Sequence, residues 1–221
     1  MRTALVTGGA SRIGAEIARH LSKQNWKVII HYNTSQQQAE DLAREIGGET
    51  VHADFAKSGQ IQKMFSNISK MPELIINNAA IFKNDTSPLA YDEQLQINLL
   101  APQQIIWESC WATKNEISII NMLDVWATTM PVNFESYALT KVALGLFTRN
   151  FARLLPLNAR INGIALGVVL YKAGQAKDVF LELQKKFPTS IDDILKAIDY
   201  IISHKELRGE VIKLTEWKPE H

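Results

Sequence analysis

A tyrosine and a lysine stand four residues apart in the stretch SYALTK, residues 136–141, within a segment of helical period. That spacing places the Tyr137 and Lys141 side chains on one face of a helix. A phenol with a pKa of about 10 is a weak acid near neutral pH, and a neighbouring ammonium lowers that pKa by stabilising the phenolate. Two interpretations stay open at this point: a tuned proton donor, or two residues on a solvated helix face.

A glycine-containing loop, TGGASRIG at residues 7–14, follows a run of β-forming residues and precedes a segment of helical period. Glycines in a first strand-to-helix turn permit a tight reversal and let a pyrophosphate approach the helix N-terminus. Gly8 and Gly14 fit that arrangement, whereas Arg12 stands where such loops usually have a second glycine. The loop favours nucleotide binding over an ordinary turn, and the arginine indicates a specialised form of it.

Residues after the next strands extend this nucleotide site. Asp54 follows the third predicted strand, where its carboxylate can accept a hydrogen bond from an adenine amine, and NNAA at 77–80 follows the fourth. Neither Asp nor Glu occurs from 31 to 38, which removes repulsion against a 2′-phosphate and favours NADPH over NADH. The predicted cofactor contacts are Gly8, Arg12, Ile13, Gly14, Asn33, Thr34, Ser35, Asp54, Phe55, Asn78, Ala79, Ala80, Tyr137, Lys141 and Gly167.

Short runs rich in Val and Ile alternate with longer segments of helical period along the whole chain. The predicted strands are TALVT, KVIIHY, ETVHA, ELIIN, ISIIN, RINGIA and EVIKL, and the predicted helices span 12–24, 36–46, 58–70, 91–113, 136–154 and 190–203. Strands that are apolar on both faces and separated by helices predict right-handed crossovers. We therefore expect an α/β fold: one Rossmann-like domain over 1–221, a doubly wound parallel sheet of about seven strands with helices on both faces.

Composition excludes several classes of protein. The 221 residues carry 24 Lys and Arg against 23 Asp and Glu, a net charge of +1 that gives no reason to expect nucleic acid or an anionic membrane as partner. One cysteine forms no internal disulfide, and five scattered histidines lack metal-ligand spacing, so we expect no metal. The sequence has neither a signal peptide pattern nor a membrane-length apolar run, so we expect a soluble cytoplasmic protein.

The order and spacing of these motifs resemble the short-chain dehydrogenase/reductase family over nearly the whole chain. The matching elements are the loop at 7–14, NNAA at 77–80, Asn98 in INLLAP, and the pair Tyr137 and Lys141. The resemblance implies a nicotinamide cofactor, Tyr137 as proton donor, Lys141 as the residue that lowers its pKa, and Asn98 as a relay that holds water. It also implies a homo-oligomer, a tetramer or dimer built through the helices at about 91–113 and 136–154.

One departure from the family pattern bears on the substrate. Most members carry a serine thirteen residues before the tyrosine to orient a carbonyl, and this chain has Asp124 there. A carboxylate disfavours a developing oxyanion but suits a C=N bond in a ring that bears N–H donors. INMLD at 120–124, Arg12 and Phe82 in NNAAIF resemble the pteridine reductase and dihydromonapterin reductase subgroup, in which an aromatic residue stacks on the pterin.

These features predict an NADPH-dependent reductase of reduced pterins. Arg12, Phe82, Asp124 and Tyr137 are the predicted substrate contacts; Tyr137, Lys141, Asp124 and Asn98 are the predicted catalytic group. We expect the Arg12 guanidinium to neutralise the pyrophosphate and to present planar donors toward the heterocycle. The family proline after the sixth strand is replaced by Leu166, and the following loop, 171–177, is short. Two alternatives therefore stay open: a carbonyl reductase of 3-oxoacyl thioesters, and a non-catalytic NADPH-binding sensor.

Overall fold

Seven parallel strands form one sheet in the computed structural model, which describes residues 1–85, 87–125, 127, 133–167, 169, 181 and 184–215. The strands are β1 (Arg2–Val6), β2 (Trp26–Tyr32), β3 (Glu49–His52), β4 (Leu74–Asn77), β5 (Ile117–Asp124), β6 (Ala159–Leu166) and β7 (Val211–Lys213). The helices in this described part are α1 (Arg12–Lys23), α2 (Gln36–Ile46), α3 (Gln60–Asn67), α4 (Pro88–Leu95), α5 (Ala101–Cys110), α6 (Glu135–Phe151) and α7 (Ile191–Ser203). All seven predicted strands are confirmed.

The two faces of the sheet bury separate apolar layers. Alternate residues of β1 point to opposite sides: Ala4 and Val6 pack with α1, α2 and α7, and Leu5 packs with residues of α3, α5 and the end of α6. Strands buried on both sides must be apolar throughout, which explains their continuous Val- and Ile-rich runs. The predicted doubly wound α/β fold is confirmed.

The strand order β3-β2-β1-β4-β5-β6-β7 places the functional crevice. The chain runs outward from β1 to β3 and then returns to β4, which pairs with β1 on its other side. Ligands of open parallel sheets bind where the order reverses in this way, beyond the carboxyl ends of the strands. The segments that follow β1 and β4 are the loop at 7–14 and NNAA at 77–80.

The prediction of one continuous α-helix over 91–113 is wrong, because the helix is interrupted. A π-helical segment, Gln96–Leu100, separates α4 from α5 and contains the fully buried Asn98. Both polar atoms of the Asn98 amide bind the Ile81 backbone: Oδ1 accepts from the Ile81 N–H at 2.8 Å, and Nδ2 donates to the Ile81 carbonyl at 2.9 Å. A π-helical turn with a bonded polar side chain at its centre is a feature often found near functional sites.

Two further expectations concern the C-terminal third. The helix predicted over 190–203 is confirmed, and it begins with a reciprocal capping box between Ser190 and Asp193. The short loop at 171–177 lies outside the described residues. Within the described ranges, the helices are all too short or too polar to cross a membrane.

Candidate active site

A cavity of about 500 Å³ opens at the carboxyl ends of the central strands. It brings together most of the predicted site residues: Gly8, Arg12, Ile13, Gly14, Asn33, Phe55, Asn78, Ala79, Ala80, Phe82, Asp124, Tyr137, Lys141 and Gly167. The predicted contacts Thr34, Ser35, Asp54 and Asn98 do not line its wall. Residues far apart in the chain thus meet at one crevice, as the reversal of strand order requires.

The glycine loop is held in place by the segment after β4. Asn78 Nδ2 donates to the carbonyls of Thr7 at 2.9 Å and Gly8 at 3.2 Å, and Thr7 Oγ1 accepts from the backbone N–H groups of Asn78 and Ala79. A side chain at Gly14 would lie 2.3 Å from the Gly8 carbonyl oxygen. The close approach that glycine permits is therefore used at Gly14.

Arg12 has a backbone conformation that favours glycine. Its φ angle is +53°, in the left-handed region that favours glycine. A residue with a Cβ in this region costs roughly 1–2 kcal/mol relative to the right-handed conformation. The Arg12 side chain borders the main cavity and a second crevice between α1 and α2. The loop thus keeps its shape while gaining a cation at the mouth of the site.

His31, which is absent from the predicted site residues, also lines the cavity. It lies buried in β2, and its Nδ1 accepts the Gly8 N–H at 3.1 Å. Its Nε2 bonds the Ala53 carbonyl at 3.0 Å, and its ring stacks on Phe55 at 4.1 Å. Burial lowers the pKa of His31 from 6.5 to about 4, so the ring is neutral with its proton on Nε2. The available sign of this role was a histidine near the carboxyl end of the second predicted strand, two residues before the NTS segment at 33–35.

Asn33 lines the outer end of the cavity, and Asp54 lies beside it. Asn33 Nδ2 donates to Asp54 Oδ1 at 3.4 Å, and Asp54 also accepts from the Ala56 N–H and pairs with Lys57. Burial acts to raise the pKa of Asp54, but the bonds from Lys57 and Ala56 outweigh it and the net change is downward. Asp54 is therefore an ionised acceptor beside the cavity.

At the inner end, the Tyr137 hydroxyl donates to Asp124 Oδ2 at 2.9 Å. Asp124 is the last residue of β5, and Tyr137 lies in the first turn of α6 and is 8% exposed. Burial first, and the Asp124 carboxylate second, raise the pKa of Tyr137 well above 10. In this arrangement the net change of the Tyr137 pKa is upward, because a buried phenol facing a carboxylate resists ionisation, and the expected lowering of this pKa by Lys141 stays a prediction.

Lys141 is anchored to the backbone of β5. Its Nζ donates to the Met122 carbonyl at 2.9 Å and lies 5.9 Å from the centroid of the Tyr137 ring. Burial lowers the pKa of Lys141 to about 8, although the Asp124 carboxylate acts in the opposite direction. The ammonium is thus buried in the cavity, and its pKa lies close to neutral pH.

Phe82 forms an aromatic wall beside the Tyr137 phenol. Its ring stacks on Phe134 at 4.3 Å with the planes 9° apart, and it meets the Tyr137 ring edge-on at 4.8 Å. Phe134 was missed in the sequence, where an aromatic residue three positions before the tyrosine was the only sign of it. The pair presents a flat apolar surface next to a proton donor and a carboxylate.

The sheet order, the loop at the strand reversal and the buried tyrosine define a Rossmann-type dinucleotide-binding protein. A sequence model of a family described as enoyl-(acyl carrier protein) reductase matches residues 8–192. The chain belongs to the short-chain dehydrogenase/reductase family and is an oxidoreductase of that family. The expected family and enzyme class are confirmed.

Three individual proteins are similar to this chain over nearly its whole length. A dihydromonapterin reductase from Klebsiella pneumoniae is 26% identical, and the alignment covers 99% of this chain and 97% of the relative. The crystal structure of FolM alternative dihydrofolate reductase 1 from Brucella suis with NADP superimposes with a TM-score of 0.88 at 26% identity, covering 100% and 97% of the two chains. The angucycline C-6 ketoreductase LanV, at 22% identity, 96% and 93% coverage and a TM-score of 0.88, shares the fold.

Proposed function

We propose that this protein is an NADPH-dependent reductase of reduced pterins, converting a dihydropterin to a tetrahydropterin. The observation that carries the proposal is the 2.9 Å hydrogen bond from the Tyr137 hydroxyl to the Asp124 carboxylate, beside the Phe82 ring. A carboxylate at this position suits a nitrogen heterocycle rather than a carbonyl, because it accepts N–H donors and repels an oxyanion. The relatives named dihydromonapterin reductase and FolM support this choice.

The residues present fit NADPH. The glycine loop leaves room for close approach to the N-terminus of α1, where Gly8, Arg12, Ile13 and Gly14 would hold the pyrophosphate. Three residues would hold the 2′-phosphate: Asn33, Thr34 and Ser35. Asp54 and Phe55 would contact the adenine. The nicotinamide half of the cofactor would contact Asn78, Ala79, Ala80, Gly167, Tyr137 and Lys141. The FolM structure with NADP supports the same cofactor here. When bound, the nicotinamide supplies the hydride.

The chain's own residues orient the heterocycle and move the proton. Phe82 offers a stacking face, and the Asp124 carboxylate accepts the amino and ring N–H groups of the substrate. Those bonds partly offset the Asp124 charge and so weaken its contribution to the raised Tyr137 pKa. Tyr137 would give its proton to the nitrogen of the ring C=N bond whose carbon receives the hydride, and the Lys141 ammonium would stabilise the phenolate that remains.

Self-association is the second part of the proposal. Trp107 on α5 and Trp111, directly after α5, stack at 4.4 Å and are 53% and 46% exposed. Trp107 also contacts the ring of Phe151, the last residue of α6, at 5.2 Å, and Leu146 on α6 is 58% exposed. Exposed apolar side chains clustered in this way on a globular protein mark a protein–protein contact. We propose that α5 and α6 together form the interface of a homo-oligomer.

NADPH oxidation, followed with dihydromonapterin, dihydrobiopterin, dihydrofolate and a 3-oxoacyl thioester side by side, tests the proposed activity. We expect a dihydropterin to give the highest kcat/KM and the thioester to be inert. Turnover of the thioester with inert pterins would overturn the proposal in favour of a carbonyl reductase. Tight NADPH binding without oxidation by any of the four would instead support a sensor.

A further inference from the structure

The carboxylate of Asp85 joins the segment after β4 to the start of α6. Asp85 Oδ2 accepts the Ser136 N–H at 2.8 Å, and the Asp85 N–H donates to the Asn133 carbonyl at 2.8 Å. One residue thus binds the turn before α6 through its backbone and the first turn of the helix through its side chain. Asp85 does not line the cavity, so its contribution to the site is indirect.

This carboxylate supplies a cap that α6 lacks in its own sequence. The residue preceding the helix is Phe134, whose phenyl ring cannot accept a hydrogen bond from the unpaired N–H groups of the first turn. Asp85, 51 residues earlier in the chain, accepts one of them and places a negative charge at the positive end of the helix dipole. Burial acts to raise the pKa of Asp85, but hydrogen bonds from Ser136 and Glu135 outweigh it and keep the carboxyl ionised.

A second buried side chain holds the same segment from α4. Gln94 is fully buried; its Oε1 accepts the Lys83 N–H at 3.2 Å, and its Nε2 lies 3.5 Å from Asp85 Oδ1. The two oxygens of Asp85 therefore face two different helices, α4 and α6. The short stretch from Phe82 to Asp85 is bonded on both sides.

Phe82 and Tyr137 are the residues that this arrangement brings together. Phe82 lies three residues before Asp85, and Tyr137 directly follows Ser136, the residue whose N–H Asp85 binds. The stacking of Phe82 on Phe134 and its edge contact with Tyr137 depend on these two segments staying in register. Misplacing a substrate-orienting group by about 1 Å can cost on the order of a hundredfold in rate.

We propose that Asp85 is a positioning residue of the active site: by capping α6 from the segment after β4, it sets Phe82 against Tyr137. This inference rests on the proposed function, in which Phe82 stacks on the substrate and Tyr137 donates the proton. The glycine loop is anchored separately through Asn78, so loss of Asp85 leaves the pyrophosphate end of the site in place.

The test compares Asp85→Ala with Asp85→Asn and with Ser190→Ala. Asparagine keeps an oxygen that accepts the Ser136 N–H, whereas alanine removes it. Ser190→Ala is the matched control, because it deletes a cap of the same kind, the 3.1 Å bond from the Asp193 N–H, at the start of α7. Kinetics with NADPH and dihydromonapterin and amide hydrogen exchange of the segment 134–141 are measured for each variant.

We expect Asp85→Ala to lower kcat/KM for the pterin at least tenfold, with KM for NADPH changed less than threefold and faster exchange at Ser136 and Tyr137. Asp85→Asn should stay within threefold of wild type in kcat/KM. Ser190→Ala should lose comparable thermal stability and keep wild-type pterin kinetics. If Asp85→Ala does not fold, Asp85→Ser replaces it under the same criteria.

Two results would overturn the inference: pterin kinetics for Asp85→Ala equal to those of Ser190→Ala, or damage by Asp85→Asn equal to that by alanine. Failure of the proposed function is a separate observation, namely a wild-type protein that does not oxidise NADPH with any dihydropterin. In that case the exchange measurement decides alone, and unchanged exchange at Ser136 and Tyr137 in Asp85→Ala rejects the positioning role.

Discussion

The Tyr137 hydroxyl donates a hydrogen bond of 2.9 Å to the Asp124 carboxyl group, so the proton donor of the site is paired with an acidic side chain. Burial of the phenol and the negative charge of Asp124 both raise the pKa of Tyr137. The tyrosine therefore stays protonated over the whole neutral range. A substrate that donates N–H groups to Asp124 would release this restraint at the moment when the proton is needed.

The pKa of Lys141, lowered to about 8 by burial, predicts an alkaline limit of activity. The ammonium is present below that pH and is lost above it, and with it the charge that stabilises the phenolate. We expect kcat/KM, which reports the free enzyme, to fall above about pH 8, as measured by a pH–rate profile from pH 6 to 10. Lys141→Met should be slow at every pH and lack this limb, and a flat wild-type profile would contradict the assignment.

His31 predicts a loss of stability in acid. Its pKa is about 4 in the folded protein against 6.5 ordinarily, so the unfolded chain binds a proton more readily between those values. The free energy of unfolding should therefore fall as the pH drops from 6.5 to 4, by roughly 3 kcal/mol from this residue. Urea unfolding at several pH values measures it.

The control for this prediction is a variant that cannot titrate at this position. His31→Gln retains a donor and an acceptor but does not titrate, so its unfolding free energy should depend less steeply on pH than that of wild type. Equal slopes for wild type and His31→Gln would show that the buried ring is not the titrating group.

Two substitutions of Arg12 should have equal effects on cofactor affinity and different effects on stability. Arg12→Gly and Arg12→Ala both remove the guanidinium, and only glycine relieves the strain of a φ of +53°. We expect both variants to raise KM for NADPH about tenfold, and the glycine variant to be more stable than the alanine variant by about 1 kcal/mol. Thermal unfolding and initial rates test the two parts, and equal melting temperatures would argue against backbone strain at Arg12.

If the exposed tryptophans lie in the proposed homo-oligomer interface, a charge among them should break the oligomer. Trp107→Glu places a charge among these apolar side chains and should convert the oligomer to monomers, as measured by light scattering after gel filtration. Tyr200→Glu, on α7, is the control, because that exposed ring lies away from α5 and α6 and its loss should leave the mass unchanged. A wild-type protein that is already monomeric would reject the proposed interface.

Much of the fold could be predicted because local pattern and tertiary environment agree. Strands such as LIIN at 74–77 are apolar throughout since both faces are covered, and the Ser190 cap depends on residues only three apart. Tyr137 and Lys141 could be found for the same reason, as their spacing alone places them on one helix face. Asp124 was identified by its distance in sequence from Tyr137.

The remaining features depend on contacts between distant segments. The direction of the Tyr137 pKa change follows from burial and from the Asp124 carboxylate, and spacing relative to Lys141 carries no information on either. In the π-helical segment, the Asn98 side chain bonds the backbone of Ile81, which is seventeen residues away in the chain. His31 and Asp85 likewise act on residues far along the chain, so neither role has a local sequence pattern.

Replacement of Asp124 by the serine that is usual in the family tests the central claim most directly. NADPH oxidation by Asp124→Ser would be measured with a dihydropterin and with a ketone, alongside NADPH affinity by fluorescence titration. We expect a fall of about a hundredfold or more in kcat/KM for the pterin, unchanged NADPH affinity, and ketone turnover equal to or above that of wild type. An Asp124→Ser protein that reduces the pterin at the wild-type rate would contradict it.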